Sequence, residues 1–473
     1  MKKLFEKTQS VTELLVKAAG KAREETSNEP EPKLTNSVQW PVSCTVGPGL
    51  EGAIACESKI GYVNGAKGCL IYRGYDIFDL CINSTFEEVS FLLLHGKLPI
   101  QSELSAFKKH LVICRATPET LRLLLNFPIE KMSPMAALRM GTNLMRQEFT
   151  YVDQDSQRQK AKVMIATDED SIPMETTPKG EAQAVYEVMQ NIDSVIFDKK
   201  KEDETGLESA VGFRSCYHLL SGSASLAAAI NRIRQGHYPI EPDPHLSHAA
   251  NLLYMMTGKK PDALQERLMD IILILHADHG MNASTFATMV VASTLSDIYF
   301  SVGSGIAALN GSLHGGANER VLRMLREIGH PKKVKDWYNN ERKQKRKIPG
   351  FGHRVYKAYD PRARVLSPLV EYLAQQNSDT RLLFETAKEL EREVESTLGR
   401  KKKIFPNVDF YSGIIYGHLG IAPEMFTSLF AVSRVAGWTA RVIEYLKNNR
   451  IFRPRAVYTG PFDRQYSPIE KRS

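Results

Sequence analysis

The stretch ALQERLMDIILILHADHG, residues 263–280, decides the fold class. Its apolar side chains at 264, 268, 271, 272 and 275 recur every three or four residues, the spacing of one face of an α-helix. The same period runs through FTSLFAVSRVAGWTARVIEYL, 426–446, where Ala431, Val435, Trp438, Val442 and Tyr445 share one stripe. FEEVSFLLLHGKLP, 86–99, reads as a shorter apolar helix stopped by Gly96 and Pro99. One sheet signal stands beside these. KIGYVNGAKGCLIYRGYDI, 59–77, places two β-rich stretches around Asn64-Gly65, the signature of a two-residue type I′ hairpin. Repeated helices with Gly and Pro breaks, plus one small N-terminal β-hairpin, predict an all-α fold. No repeat of 20–50 residues points to a solenoid.

The chain has 473 residues, 42% hydrophobic and 25% charged, enough for a large buried core in more than one lobe. No apolar run approaches the ~18–20 residues of a membrane helix. The N-terminal segment is helically periodic without the apolar centre of a signal peptide. Its acids, Glu6, Glu13, Glu24 and Glu25, do not suit an organellar transit peptide, and Lys471-Arg472-Ser473 is not the usual peroxisomal address. These features predict a cytoplasmic protein with no membrane partner. Six cysteines stand at 44, 56, 69, 81, 114 and 216 without a C-x-x-C pair, so no metal site is expected and they read as reduced, packed thiols. The formal charge is +8, and between Lys332 and Lys357 lie ten Lys or Arg against two acids. Such a run is more often a solvated face than the seat of an anionic ligand.

Residues 1–48 read as an N-terminal extension, an amphipathic segment followed by the polar linker SNEPEPKLTNS. The core then comprises 49–151 and 210–473. Between them, 152–209 is polar and mixed in charge, with only AVYEVMQNIDSVIF helical in pattern, and reads as a surface insertion.

Four groups concentrate polar chemistry. In GSLHGGANE, 311–319, glycines free the backbone around His314 just ahead of an amphipathic helix for which Asn318 is an available N-cap. A helix N-terminus disfavours imidazolium, so a neutral His314 could donate to a developing enolate; a turn histidine satisfied by backbone is the equal alternative. In IPGFGHR, 348–354, Gly350 and Gly352 let the chain wrap on a ligand with His353 at the bend, and Lys345, Arg346, Lys347 and Lys357 beside it suit a nucleotide phosphate. In NVDFYSG, 407–413, a run that is not obviously helical, Asp409 sits between apolar neighbours. It reads either as a satisfied structural carboxylate, the usual case, or as a base tuned by burial. The fourth group is arginines: Arg362, Arg434, Arg453 and Arg455. Arg434 lies inside an apolar helix and requires an anionic partner, internal or bound.

These segments, with GLEGAIACESKIGYVNGAKGCLIYRGYDIFDL and LHADHGMNAST, occur in the order found in citrate synthases. The chain resembles the shorter, bacterial-type dimeric branch, which includes 2-methylcitrate synthases, over about 49–151 and 210–461. The resemblance implies a two-lobed helical fold, with the small lobe within about 313–425, and a homodimer that condenses acetyl-CoA with oxaloacetate. Asp409 would remove the methyl proton, His314 would stabilise the enol, and His353 would polarise the ketone. His279, Arg362 and Arg434 would hold the oxaloacetate carboxylates, joined by Arg453 from the partner subunit. Lys347, Ile348, Gly350, Gly352 and Lys357 would bind CoA. No permanent cofactor, metal or nucleic acid is implied. Preorganised donors worth ~3–4 kcal/mol each fit the demand of deprotonating a thioester near neutral pH. Two rivals remain: 2-methylcitrate synthase using propionyl-CoA, since one methyl discriminates by only ~1–3 kcal/mol, and, remotely, a non-catalytic helical scaffold or nucleic-acid binder.

Overall fold

The computed structural model describes residues 2–26, 37–148, 211–399, 402–461, 464–466 and 468–472. The expected insertion 152–209, with the segment expected to be helical, and the linker 27–36 lie outside the described residues. The body is helical. In chain order the helices are α1 (Lys2–Glu25), α2 (Ile77–Asn83), α3 (Phe86–His95), α4 (Gln101–Ile113), α5 (Pro118–Leu124) and α6 (Pro134–Leu144). They are followed by α7 (Val211–Arg234), α8 (His248–Thr257), α9 (Ala263–His276), α10 (Ala283–Ser293), α11 (Ile298–Leu309) and α12 (Ala317–Ile328). The last five are α13 (Val334–Lys343), α14 (Pro361–Ala374), α15 (Ser378–Val394), α16 (Val408–His418) and α17 (Phe426–Leu446).

Helices α9 and α17 are the centre of the body. Asp262 and Gln265 cap α9 reciprocally, and from Leu268 to His276 every residue is buried. In α17 the run Phe426–Val442 is buried throughout, so both helices are core elements rather than amphipathic surface ones. That setting puts two guanidiniums, Arg434 and Arg441, out of water on one helix.

The sheet has three antiparallel strands in the order β1 (Gly61–Asn64), β2 (Cys69–Tyr72) and β3 (Tyr75–Asp76). The expected single hairpin is therefore extended by a short third strand. Asn64 pairs with Cys69, so the loop is four residues and not the expected two. The reason is local: Asn64 Oδ1 accepts from the N–H groups of Ala66 (3.1 Å) and Lys67 (3.0 Å), which closes the wider loop, and Gly68 supplies its positive φ of 58°. A Cβ at Gly65 would lie 2.1 Å from the Val355 carbonyl oxygen, and the N–H of Lys357 donates to the Gly65 carbonyl at 2.8 Å. The loop thus braces the chain directly after His353.

The N-terminal extension contributes packing. On α1, Val11, Leu15, Ala19 and Ala22 are buried against α2, α9 and α14. Ion pairs Arg23–Asp79 (2.9 Å) and Glu25–Arg364 flank this face.

Candidate active site

The turn after α9 carries His279, which is 7% exposed, and its Nε2 lies 3.2 Å from the Tyr356 hydroxyl. The His279 and His353 rings stand 4.9 Å apart, edge to face. Burial, reinforced by the charges of Arg362 and Arg434, pulls the His279 pKa well below the ordinary imidazole value.

His353 is fixed by its own loop. Its Nδ1 accepts from the backbone N–H groups of Val355 (3.0 Å) and Tyr356 (3.2 Å), which can only donate. The ring is therefore neutral with its proton on Nε2, and its pKa falls to about 4 through burial and then the Arg362 charge. His314 repeats this arrangement with the nitrogens exchanged. The N–H of Ser284, at the start of α10, donates to His314 Nε2 at 3.2 Å, and Ser284 Oγ lies 2.9 Å from the same nitrogen; with Nε2 accepting the backbone N–H, the proton is on Nδ1. Burial and then Arg434 lower this pKa to about 4 as well. The expected cap for the following helix is corrected: Gly316 is the N-cap of α12, and Asn318 lies within its first turn with Oδ1 on the Glu319 N–H at 2.8 Å.

Asp409 stands at the N-terminus of α16, a true helix where the sequence pattern suggested none. Asn407 starts it, its Oδ1 accepting from the Asp409 N–H at 3.1 Å. Asp409 Oδ1 is sealed from solvent without a hydrogen-bond partner. Burial raises its pKa to about 7 against the opposing pull of Arg362. The loop of His353 is strapped to this turn by three bonds. Gly352 N–H donates to the Phe405 carbonyl (2.9 Å), Asn407 N–H to the Gly350 carbonyl (2.9 Å), and Asn407 Nδ2 to the Gly352 carbonyl (3.0 Å). Gly350 and Gly352, both at φ 81°, make the tight loop that allows this.

The site is therefore two neutral histidines with opposite tautomers, a carboxyl poised near neutrality, and buried cations around them. Residues 49–455 match the family model of the citrate synthase C-terminal domain. The chain belongs to the citrate synthase family. It is 38% identical over 428 residues to the citrate synthase of Deinococcus radiodurans, covering 90% of this chain and 99% of that one. It is 35% identical over 416 residues to the citrate/2-methylcitrate synthase of Bacillus subtilis, covering 88% of this chain and 96% of that one. Among solved structures, a ternary complex of carboxymethyl coenzyme A and oxaloacetate with citrate synthase from Thermoplasma acidophilum superimposes with a TM-score of 0.74 at 30% identity, over 91% of this chain and all of that one.

Within this citrate synthase fold the arginines differ. Arg362 and Arg434 are both buried, at 3% and 1% exposure. Arg362 makes a bidentate pair with Asp360, Nε to Oδ1 at 3.0 Å and one terminal nitrogen to Oδ2 at 2.8 Å. Asp360 also caps α14, a partner that YDPRA carried and the sequence reading passed over. Arg434 donates through Nε to the His276 carbonyl at 2.5 Å and forms no ion pair among the described residues. One of its terminal nitrogens is buried without a partner. The charge of Arg434 acts on His279, His314 and Asp409, and that of Arg362 on His279, His353 and Asp409, so these six groups surround one locus. Arg453 is not gathered with them. It is exposed in an extended arm anchored by Phe452, whose ring stacks on Tyr445 at 4.9 Å.

Of the other predicted contacts, Lys347 and Lys357 are exposed, and Ile348 is half-buried against the core. Lys402 and Lys403, also exposed, lead into the strap at Phe405; the run GRKKKIF was the available signal. Among the described residues no cluster of three His, Cys, Asp or Glu forms a metal site, all six cysteines are free thiols, and no helix is long and apolar enough to cross a membrane.

Proposed function

We propose that this chain condenses acetyl-CoA with oxaloacetate and water to give citrate and free CoA. The observation that carries the reading is the pairing of a solvent-sealed, unpartnered Asp409 oxygen with two histidines each holding one N–H that backbone contacts leave for a ligand. Asp409 takes a proton from the acetyl methyl group as His314 Nδ1–H stabilises the thioester oxygen, so carbanion character passes to an enol. The enol carbon attacks the oxaloacetate ketone, and the oxygen of that ketone receives its proton from His353 Nε2. Water then cleaves the citryl thioester and CoA leaves as the thiol. His279, Arg362 and the free Arg434 nitrogen hold the substrate carboxylates. Lys347, Ile348, Gly350, Gly352 and Lys357 take the nucleotide end of CoA, with Lys402 and Lys403 beside them.

The same reading makes α12–α16 a small lobe that closes over the site to exclude water, and makes the active unit a cytoplasmic homodimer in which Arg453 reaches the neighbouring site. The relative named citrate/2-methylcitrate synthase favours one second reading, propionyl-CoA as the acyl donor. Thiol release from acetyl-CoA and from propionyl-CoA, each with oxaloacetate, tests both. A kcat/KM higher for acetyl-CoA is the expected result. Preference for propionyl-CoA selects the second reading, and no release from either refutes both.

A further inference from the structure

Asp278 and Arg441 form the most deeply buried ion pair of the site region. Asp278 is 0% exposed and Arg441 is 3% exposed. Arg441 Nε donates to Asp278 Oδ1 at 2.7 Å and a terminal nitrogen donates to Oδ2 at 2.8 Å, so both carboxylate oxygens are taken by one guanidinium. Oδ2 also accepts the Gly280 N–H at 3.1 Å, which orients the turn carrying His279. The remaining reach of Arg441 is used too: it donates to Ser58 Oγ at 3.1 Å and to the Gly61 carbonyl at 3.4 Å.

Arg434 and Arg441 are seven residues apart, two turns, on the same face of α17. Gly437 lies between them. A Cβ there would fall 2.3 Å from the Ala277 carbonyl oxygen and 2.9 Å from Asp278 Oδ1, so the chain at 277–278 rests on the bare helix backbone midway between the two arginines. Asp278 is also the leading attractive charge felt by Arg434, while Arg362 and Arg441 repel it. Two cations thus flank one buried carboxylate. Arg441 holds it, and Arg434 is left with an unpartnered nitrogen.

We infer that Arg441 is a positioning residue whose task is to sequester Asp278, keeping Arg434 unneutralised for a substrate carboxylate while fixing the His279 turn. The inference rests on the reading that Arg434 binds oxaloacetate. The alternative state is chemically available: with Arg441 absent, a fully buried and unpaired Asp278 would be costly, and the nearest relief is an ion pair with Arg434. Substrate would then have to displace an internal carboxylate.

The test is a double-mutant cycle read through oxaloacetate. Arg441→Met is expected to raise the oxaloacetate KM, and its Kd by calorimetry, about ten- to a hundredfold, the equivalent of one charge-assisted hydrogen bond, with the acetyl-CoA KM near wild type. Adding Asp278→Asn removes the competitor and is expected to return the oxaloacetate KM to within about threefold of wild type. A purely structural pair would instead lower Tm and move both KM values together, and the second change would not restore oxaloacetate selectively. An unchanged oxaloacetate KM in soluble Arg441→Met, or no recovery in the double variant, overturns the inference. Should Arg441→Met fail to fold, Arg441→Lys keeps the charge but lacks the fork needed to hold both oxygens. A smaller rise is expected there, and an unchanged oxaloacetate KM overturns the inference. Arg434→Met separates the two levels. If it leaves oxaloacetate binding intact, the substrate reading of Arg434 itself fails; if it abolishes binding while Arg441→Met does not, only the sequestering role fails.

Discussion

Asn407 Nδ2 donates to the Gly352 carbonyl oxygen at 3.0 Å, tying the loop that presents His353 to the turn that presents Asp409. The same side chain accepts the Asp409 N–H through Oδ1, so one amide sets the helix start and the spacing of the two groups proposed to react. Catalytic rates are sensitive to misplacement on the scale of an ångström, about a hundredfold in unfavourable cases. Asn407→Asp keeps the cap acceptor and loses the donor. It should lower kcat about tenfold or more at nearly unchanged Tm, whereas Asn407→Ala should add a stability loss of about 1 kcal/mol for the missing cap. Wild-type kcat in Asn407→Asp would show that the strap does not position the site.

On the proposed mechanism Asp409→Asn removes the acceptor for the methyl proton, and it is expected to cost about 10²–10⁴-fold in kcat in a folded protein. In the wild type the carboxyl must be ionised to act. With its pKa raised to about 7 in the free protein, log kcat/KM should fall with unit slope as pH drops below that value and level off above it. The stability sign is opposite. A carboxyl whose folded pKa exceeds its unfolded value of about 4 stabilises the fold at low pH, and that stabilisation is lost as pH rises through about 7. Asp409→Asn should therefore match or exceed the wild-type Tm at pH 8 and lose that advantage by pH 4. Thermal melts across this range check the sign, and a variant markedly less stable at pH 8 contradicts it.

Leu15, on α1, is fully buried although it belongs to the N-terminal extension. Leu15→Ala should cost about 2–5 kcal/mol in denaturant unfolding, the range for emptying a packed aliphatic site. It should leave oxaloacetate KM unchanged, because α1 contributes no residue to the site. A loss below about 1 kcal/mol would mean that the helix is peripheral to the cooperative unit.

The helices with strong apolar period, such as 263–276 and 426–446, were legible because burial acts on each helix face as a whole. His314, His353, Asp409 and the buried arginines stood out because titratable groups beside glycines or inside apolar runs conflict with plain core packing. What escaped the sequence reading depends on tertiary partners. Asn64-Gly65 marked a hairpin, but the side chain of Asn64 widened its loop. NVDFYSG did not look helical because its apolar period is short, yet Asn407 was a recognisable cap. Asp278 gave no sign of which arginine it would hold, since its bidentate pair with Arg441 joins distant parts of the chain, whereas Asp360 stands two residues before Arg362 and was a legible partner.

Arg453 carries the remaining question, the assembly of the site. The arm after α17 is held as far as Phe452: the Asn449 side chain donates to the Ser293 carbonyl at 3.0 Å, and the Phe452 N–H donates to Ser293 Oγ at 3.2 Å. Beyond that, residues 453–459 are exposed and without regular structure, and Pro454 removes a backbone donor and favours an extended path. In the proposed homodimer, an arginine at the start of such an arm would serve the neighbouring site. If it does, Arg453→Ala chains and His353→Ala chains should each be inactive alone and active when mixed. A mixed dimer holds one site with both lesions and one with neither, so its activity should approach half that of the wild-type dimer. Native mass spectrometry establishes whether mixed dimers form. Mixed dimers that form and remain inactive would place Arg453 within its own chain's site or outside catalysis altogether.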